Sequence, residues 1–475
     1  MEQENIFCIN GMQLDQYQKN IVLDDSNALL VIAGAGSGKT FTILGKIKYL
    51  IERLNYKPND ILCISLTNDT VNNLKNKLEN LGYKIDVYTF HKLGFKILNN
   101  VNKYSIIHSD YLNFIIDEYF LSYIYFDKKR KRTFLKLLKI SKFDNLTINK
   151  NYLDLKKIII TGIHLIKNNN IDFNKLVIKY SKMFFKKNIF KYILDIFLIY
   201  KRELESLNMV DFDDMINLAS LFLENNKLNF NYKYIIIDEY QDTSLSRYNL
   251  IKNISNQCSA KIMAVGDDWQ SIYRFTGCDL NLFLDFKKLF KNGKVMSINN
   301  TYRNSKELIF IASNFIMRNK NQLKKELVSF KNNLKPIKIF YENNKNDLQK
   351  LIEYINSDDI LILGRNNYDI KKYNIKSNIN YLTVHKSKGL EADEVILINL
   401  ENKIDGFPNK KKNVKVLEKI KKNIVEFPYD EERRLFYVAL TRTKNSIYLL
   451  INKNNKSVFV NELIDDYKKY IEFIK

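Results

Sequence analysis

The chain has 475 residues, 45% hydrophobic and 13% aromatic, enough for roughly two to four domains at about 100–200 residues each. Its four cysteines (Cys8, Cys63, Cys258, Cys278) are scattered and its histidines number four, which argues against a disulfide framework or a zinc site and for a reducing compartment. The net charge of +23, from 76 Lys and Arg against 53 Asp and Glu, suits a polyanionic partner whose counterions those cations displace, although a composition saturated with Lys, Asn and Ile accounts for part of the excess.

Met1–Gly11 has no basic region leading into an apolar run, so no signal peptide is expected. No apolar stretch approaches the ~18 residues of a membrane span. A cytoplasmic protein without membrane contact is the expectation.

Along the chain, Ala28–Ile32 reads as a buried strand entering a glycine-rich turn, followed by a helix over Phe41–Leu50. Ile61–Leu66 repeats the pattern, with a helix near Val71–Leu78. Tyr234–Ile237, Ile262–Val265, Ile360–Leu363 and Val395–Leu400 are further short apolar runs. Strands alternating with helices predict an α/β fold with parallel sheets. From about Asn99 to Leu207 the pattern changes to long Leu, Ile, Phe and Tyr repeats at helical spacing. The interval between His91 and Asp238 is far too long for a loop, so this stretch reads as a helical insertion. The basic run Lys128–Arg132 within it is either a solvated helix face or a nucleic-acid contact.

Ala33-Gly34-Ala35-Gly36-Ser37-Gly38-Lys39-Thr40 lies between a predicted strand and a predicted helix. That context suits a phosphate loop, whose glycines let backbone N–H groups turn inward at a helix N-terminus. Lys39 would reach the β- and γ-phosphates of ATP, and Thr40 would offer a hydroxyl to Mg²⁺. The apolar run Tyr234–Ile237 leads straight into Asp238-Glu239. An acidic pair at the end of a buried strand supplies a metal ligand, Asp238, and a group that polarises the attacking water, Glu239. Hydrolysis further needs positive charge at the γ-phosphate, and periodicity does not choose that cation among so many basic residues.

The motifs together resemble a superfamily 1 DNA helicase of the UvrD/Rep type. The resemblance runs in order through Leu14–Gln18, Ser65–Asn68, Thr89–His91, Asp211–Asp214, Asp238–Asp242, Val265–Tyr273, Tyr302-Arg303, Thr383–Glu391 and Glu431–Arg442. Asp268-Trp269-Gln270, Gln322–Lys325, Asp405–Pro408 and Phe427-Pro428 are similar to the DNA helicase IV branch. The resemblance implies two RecA-like P-loop domains: 1–98 and 208–283 forming the first, 99–207 as the helical insertion, and 284–475 as the second. It implies that Gln18 reads adenine, Tyr302 stacks on it, Glu391 binds ribose, Gln270 senses the γ-phosphate, and Arg303 and Arg442 contact that phosphate. Thr67 and Asn68 would touch the DNA strand. It also implies an ATP-dependent helicase moving 3′ to 5′ on single-stranded DNA, acting at duplex junctions in repair, recombination or replication, as a monomer.

Base-stacking aromatics are expected at Tyr273 and Phe275, and phosphate or sugar contacts at His91, Thr383 and His385. Asn68 is also a candidate helix cap. Three positions depart from the family pattern: Phe41 where Arg is usual, Leu66 where an aromatic is usual, and Thr276 where Arg is common. The interval from Arg303 to Thr383 is too short for the large second-domain insertion of UvrD/Rep enzymes, with Asp405–Pro428 a possible short substitute. Asp465–Lys468 reads as a surface helix, and no nuclease domain is expected after Arg442.

Overall fold

The computed structural model describes residues 6–171, 176, 187–228, 230–375, 380–411, 417 and 427–474. Two six-stranded sheets, each wholly parallel, form its frame. The α/β reading therefore holds.

The first sheet runs, edge to edge, Lys294–Ile298, Ala28–Ala33, Lys261–Gly266, Tyr234–Ile237, Ile61–Ser65 and Asp86–Thr89. Its three strands Ala28–Ala33, Tyr234–Ile237 and Ile61–Ser65 are buried throughout. Continuous apolar runs are what a parallel strand covered on both faces requires. The edge strand Lys294–Ile298 differs, since Lys294 and Ser297 are exposed. It pairs with the strand that precedes the phosphate loop. The first sheet thus passes the expected limit at 283 and takes a strand that the sequence reading assigned to 284–475. The half-exposed edge lacks the apolar run that marked the other strands.

The second sheet runs Tyr381–Thr383, Ile360–Gly364, Ala392–Leu397, Thr443–Asn452, Ile337–Glu342 and Ile471–Ile474. The helices Lys306–Met317, Asp430–Leu440 and Val458–Tyr467 pack on it, and their shared core includes Leu308, Phe315, Phe436 and Phe459. Ala35, Trp269 and Ile272, which follow strands of the first sheet, are buried in this same core. The lobes are therefore joined through apolar side chains at the cleft itself.

Helices Tyr111–Glu118, Lys128–Leu138, Lys150–Asn168 and Lys187–Leu207 form the insertion. Its separate core contains Phe120, Phe134, Tyr152, Ile159 and Ile193. A short parallel pair, Ser105–Ile106 with Met209–Val210, closes its base. Lys128, Lys129, Arg130 and Arg132 are exposed, and Asp127 caps that helix. Asp465 lies exposed on the helix Val458–Tyr467, in line with the surface reading. Met1–Asn5, Lys412 and most of Asp405–Pro428 beyond Lys411 lie outside the described residues.

Candidate active site

The site lies where both sheets present the carboxyl ends of their strands, the usual place for ligands in parallel α/β folds. Ala33 ends its strand, and the chain turns through Gly34–Gly38 before Lys39 opens the helix Lys39–Glu52. Gly36 and Gly38 have φ of 69° and 79°, where a side chain is strained. Space forbids one as well: a Cβ on Gly36 would lie 2.5 Å from Cβ of Arg303, and one on Gly38 would lie 2.8 Å from Nε2 of Gln18. Ser37 tightens the turn by donating from Oγ to the Gly34 carbonyl at 3.0 Å. Backbone N–H groups and a helix start thus converge at Gly34–Thr40, an anion-binding arrangement.

Lys39 donates to Oε1 of Glu239 at 2.9 Å. Glu239 itself has φ 54°, a strained left-handed backbone for a residue with a side chain. Lys388 approaches Oε2 of Glu239 at 3.3 Å, bonds Asp242, and donates to the Gln270 carbonyl at 2.9 Å. Burial alone would raise the Glu239 carboxyl, but Lys39 and Lys388 outweigh it and hold Glu239 well below the usual carboxylate range. Asp238 goes the other way: burial, then the neighbouring Glu239 charge, push it up. An oppositely charged ligand would relieve a buried carboxylate in that position. Asp238, just past the strand Tyr234–Ile237, offers a carboxylate, and Thr40, second residue of the phosphate-loop helix, offers a hydroxyl; these are oxygen donors of the kind Mg²⁺ takes, so these residues fit a magnesium–nucleotide.

Gln270 comes from the 267–272 loop of the first lobe and Arg442 from the second. Arg442 is fully buried and donates from Nη2 to Oε1 of Gln270 at 3.2 Å. Burial, followed by the nearby Arg303 cation, pulls Arg442 down to about 9. Its charge would gain from an anion in the cleft. Arg303 donates from Nε to Oε2 of Glu391 at 2.7 Å and from Nη1 to the Thr441 carbonyl at 3.1 Å. Two expected nucleotide contacts therefore hold each other. The backbone N–H of Tyr302 donates to the Gly36 carbonyl at 2.9 Å, and Oγ1 of Thr301 donates to the Ala35 carbonyl at 2.7 Å. The structure thus brings Lys39, Glu239, Gln270, Arg303 and Arg442 into one cleft.

On the side expected for adenine, Gln18 is buried and donates from Nε2 to the Ser37 carbonyl at 3.3 Å. Tyr302 is exposed, its hydroxyl donating to Asp15 at 2.7 Å. Phe41 packs against the first-lobe core.

Five of the seven expected strand contacts, Tyr273, Phe275, Thr383, His385 and His91, lie at two places. Tyr273, Phe275 and His385 form an aromatic step that crosses between the lobes. The Tyr273 hydroxyl donates to the His385 carbonyl at 3.1 Å, and Phe275 lies edge-on to the His385 ring at 5.7 Å. Thr383 ends the adjoining strand and is buried. At the other place, His91 lies edge-on to Phe212 at 5.6 Å, with Phe212 exposed. Burial, then the nearby cations Arg247 at His91 and Arg365 and Lys388 at His385, lower both histidines to about 4. Both rings are therefore neutral at pH 7. Thr67, not Asn68, caps the helix Asn68–Asn80, accepting from the Thr70 N–H at 3.3 Å. Asn68 is the exposed first residue of that helix, because the hydroxyl one position earlier already meets the free N–H groups.

Gln241, Lys388 and Phe212 lie within the motifs, but the motifs alone give them no role. Gln241 links the acidic pair to the 267–272 loop, donating to Oε2 of Glu239 at 2.5 Å and accepting from the Asp267 N–H at 2.9 Å. For Phe212, exposure beside His91 is the signal, and it exists only after folding.

The family model of the UvrD/REP helicase N-terminal domain matches residues 14–291. That of the viral superfamily 1 RNA helicase core domain matches residues 217–451. DNA helicase IV of Escherichia coli (strain K12) is 29% identical over 483 residues, covering 95% of this chain and 70% of that relative. The ATP-dependent DNA helicase Rep of Buchnera aphidicola subsp. Acyrthosiphon pisum is 32% identical over 408 residues, with 81% of this chain and 59% of the relative covered. For the ATP-dependent DNA helicase PcrA of Leuconostoc citreum the identity is 26%, over 82% of this chain and 51% of the relative. Given the match across 14–291 and a cleft built from the same motifs, the chain belongs to the UvrD/Rep helicase family.

Proposed function

We propose that the chain is an ATP-dependent DNA helicase that moves 3′ to 5′ along single-stranded DNA and couples ATP hydrolysis to strand separation in repair, recombination or replication. The observation that carries this reading is the contact between Gln270 and Arg442 across the lobes, beside the Lys39–Glu239 pair. A hydrolytic site shared between two lobes can convert hydrolysis into relative motion. We assign the first lobe to 1–98 and 208–298, the insertion to 99–207, and the second lobe to the remainder.

In this reading the γ-phosphate of ATP draws Lys39 away from Glu239. Glu239, kept ionised by Lys388, then accepts a hydrogen bond from the attacking water. Gln270, Arg303 and Arg442 meet the charge that develops on the γ-phosphate as ADP leaves. Thr40 and Asp238 would hold Mg²⁺, which supplies charge neutralisation at the β- and γ-phosphate oxygens. Gln18, Tyr302 and Glu391 hold the base and ribose, and Gly34–Gly38 the phosphates. Tyr273 and Phe275 stack on bases, and His91, Thr383, His385, Thr67 and Asn68 meet the sugar–phosphate chain. Because Tyr273 and Lys388 link this surface to the cleft, a change at the γ-phosphate reaches the strand within a few side chains.

Duplexes bearing a 3′ or a 5′ single-stranded tail test the reading. ATP should release the strand from the 3′-tailed substrate, and Lys39→Ala should abolish release. Equal release from both tails, or release without Lys39, contradicts it. A second reading, a translocase that strips proteins from DNA without unwinding it, is favoured by the interval from Arg303 to Thr383, which is too short for the second-domain insertion of UvrD/Rep enzymes. The chain spans 51–70% of the three relatives named above. Displacement of a DNA-bound protein without duplex separation would select it.

A further inference from the structure

The Gln270 side chain is an amide, and an amide senses a phosphate only if its nitrogen and oxygen ends are the right way round. Its Nε2 donates to Oδ2 of Asp267 at 2.5 Å, while its Oε1 accepts from Arg442. Asp267 therefore sets the polarity of the sensor. The other oxygen of Asp267 accepts from the Trp269 N–H at 3.1 Å and from the ammonium of Lys325. Lys325 also reaches Oδ1 of Asp268 at 2.7 Å. All three side chains are buried, with 4% exposure at Lys325 and 0% at both aspartates. A buried ammonium between two buried carboxylates is costly to form unless its partners are held in place.

They are held by the 322–325 segment, whose Leu323 side chain also packs on the first-lobe core. Lys325 follows the helix Lys306–Met317, whose apolar face belongs to the second-lobe core. Trp269 inserts into that core, edge-on to Tyr437 at 5.4 Å, and its Nε1 donates to the Leu323 carbonyl at 2.9 Å. The Leu323 N–H returns to Oδ2 of Asp268 at 2.9 Å. With its amide oriented by these neighbours, Gln322 donates to Asp268 at 3.0 Å and accepts from Arg434 at 2.8 Å. Lys325 lies 4.7 Å above the Trp269 ring. The 267–270 loop leaves a first-lobe strand, yet its side chains are fastened to the second lobe.

We propose that Lys325 is a positioning residue for ATP hydrolysis, which fixes the Gln270 amide through Asp267 and makes the sensor travel with the second lobe and Arg442. The inference rests on reading Gln270 as the γ-phosphate sensor. Lys325 touches no reacting atom, so it acts through Asp267. Without the ammonium, the two buried carboxylates lose their shared cation and Asp267 no longer presents a fixed acceptor to the amide.

The test uses the full chain and four variants, Lys325→Met, Lys325→Arg, Asp267→Asn and Asp268→Asn, with steady-state ATPase at saturating oligo(dT). Trp269 is the one tryptophan of the chain, so its emission reports whether the junction stays packed. Lys325→Met and Asp267→Asn should each lower kcat about tenfold with KM for ATP within about threefold and emission unchanged, whereas Lys325→Arg should regain about half of the wild-type kcat. Asp268→Asn removes an equal buried charge that does not bond Gln270, so its kcat should stay within about threefold of wild type. Equal losses in the two aspartate variants would overturn the proposal, as would kcat losses that track a red-shifted emission or a Lys325→Met protein with wild-type kcat. Should Lys325→Met fail to fold, the aspartate pair decides alone. A wild type indifferent to DNA would sink the proposed motor, while DNA-independent turnover would still score the variants.

Discussion

The proposed nucleotide cleft and the proposed strand-contact surface are built on opposite plans. In the cleft, charges are tied to charges: Lys39 to Glu239, Lys388 to Glu239 and Asp242, Arg303 to Glu391. Along the proposed strand surface the named groups are aromatic rings, neutral imidazoles, hydroxyls and the Asn68 amide, with Phe275 and Phe212 exposed. Chemistry on a phosphate demands fixed electrostatics, because each misplaced charge in a water-poor site is expensive. A moving grip demands the reverse: contacts tolerant of any base and weak enough to release. Cleft substitutions should therefore change turnover with DNA affinity held, and surface substitutions should do the opposite.

The largest break is expected at Glu239→Gln, which keeps shape but removes the carboxylate proposed to activate the attacking water. ATP turnover should fall about 10³-fold, with nucleotide binding retained in an equilibrium binding assay. Next comes Arg442→Lys, which keeps a cation but loses the planar reach to Gln270 and the Leu390 carbonyl. Its kcat should drop about 10²-fold with KM for ATP little changed, as read in steady-state kinetics. On the surface, Phe275→Ala should weaken oligonucleotide binding by about 1–2 kcal/mol in fluorescence anisotropy, leaving ATP affinity as it was. A loss of turnover at saturating DNA in that variant would blur the division between the two regions.

The smallest effect concerns pH. His91 and His385 have folded pKa values near 4, below the free value of 6.5, so the fold favours their neutral forms. The unfolded chain binds more protons across that window, and stability rises with pH there. The melting temperature should be insensitive to these groups above about pH 6.5 and should decline as pH falls toward about 4. A His91→Asn/His385→Asn chain should show a shallower decline in the same thermal melts.

The two plans also explain what could be read from the sequence. Ala33–Thr40 and Asp238-Glu239 were legible because each is a contiguous segment at the end of an all-apolar strand, where the local order of residues is the structure. The α/β frame was legible for the same reason. Lys388 and Gln241 were visible as motif letters, but their roles depend on segments far along the chain meeting at Glu239. Lys325 was likewise a motif letter, the last of Gln322–Lys325, and its role shows only in its burial between two aspartates. Lys294–Ile298 escaped because an edge strand needs apolar groups on one side only. The Asn68 cap went to Thr67 because a capping hydroxyl one residue earlier has identical sequence credentials. On the strand surface, Phe212 supplies an exposed aromatic beside His91, while Leu66, half-buried, leaves its position without a ring.

The central claim is that hydrolysis in the cleft is governed by a strand held on the adjoining surface. The direct measurement is steady-state ATP turnover of the wild-type chain titrated with oligo(dT), with duplex DNA and an oligoribonucleotide as parallel arms. Turnover should climb at least about tenfold and saturate with the single strand, and Glu239→Gln should abolish it. Turnover that is the same with and without the strand would contradict it.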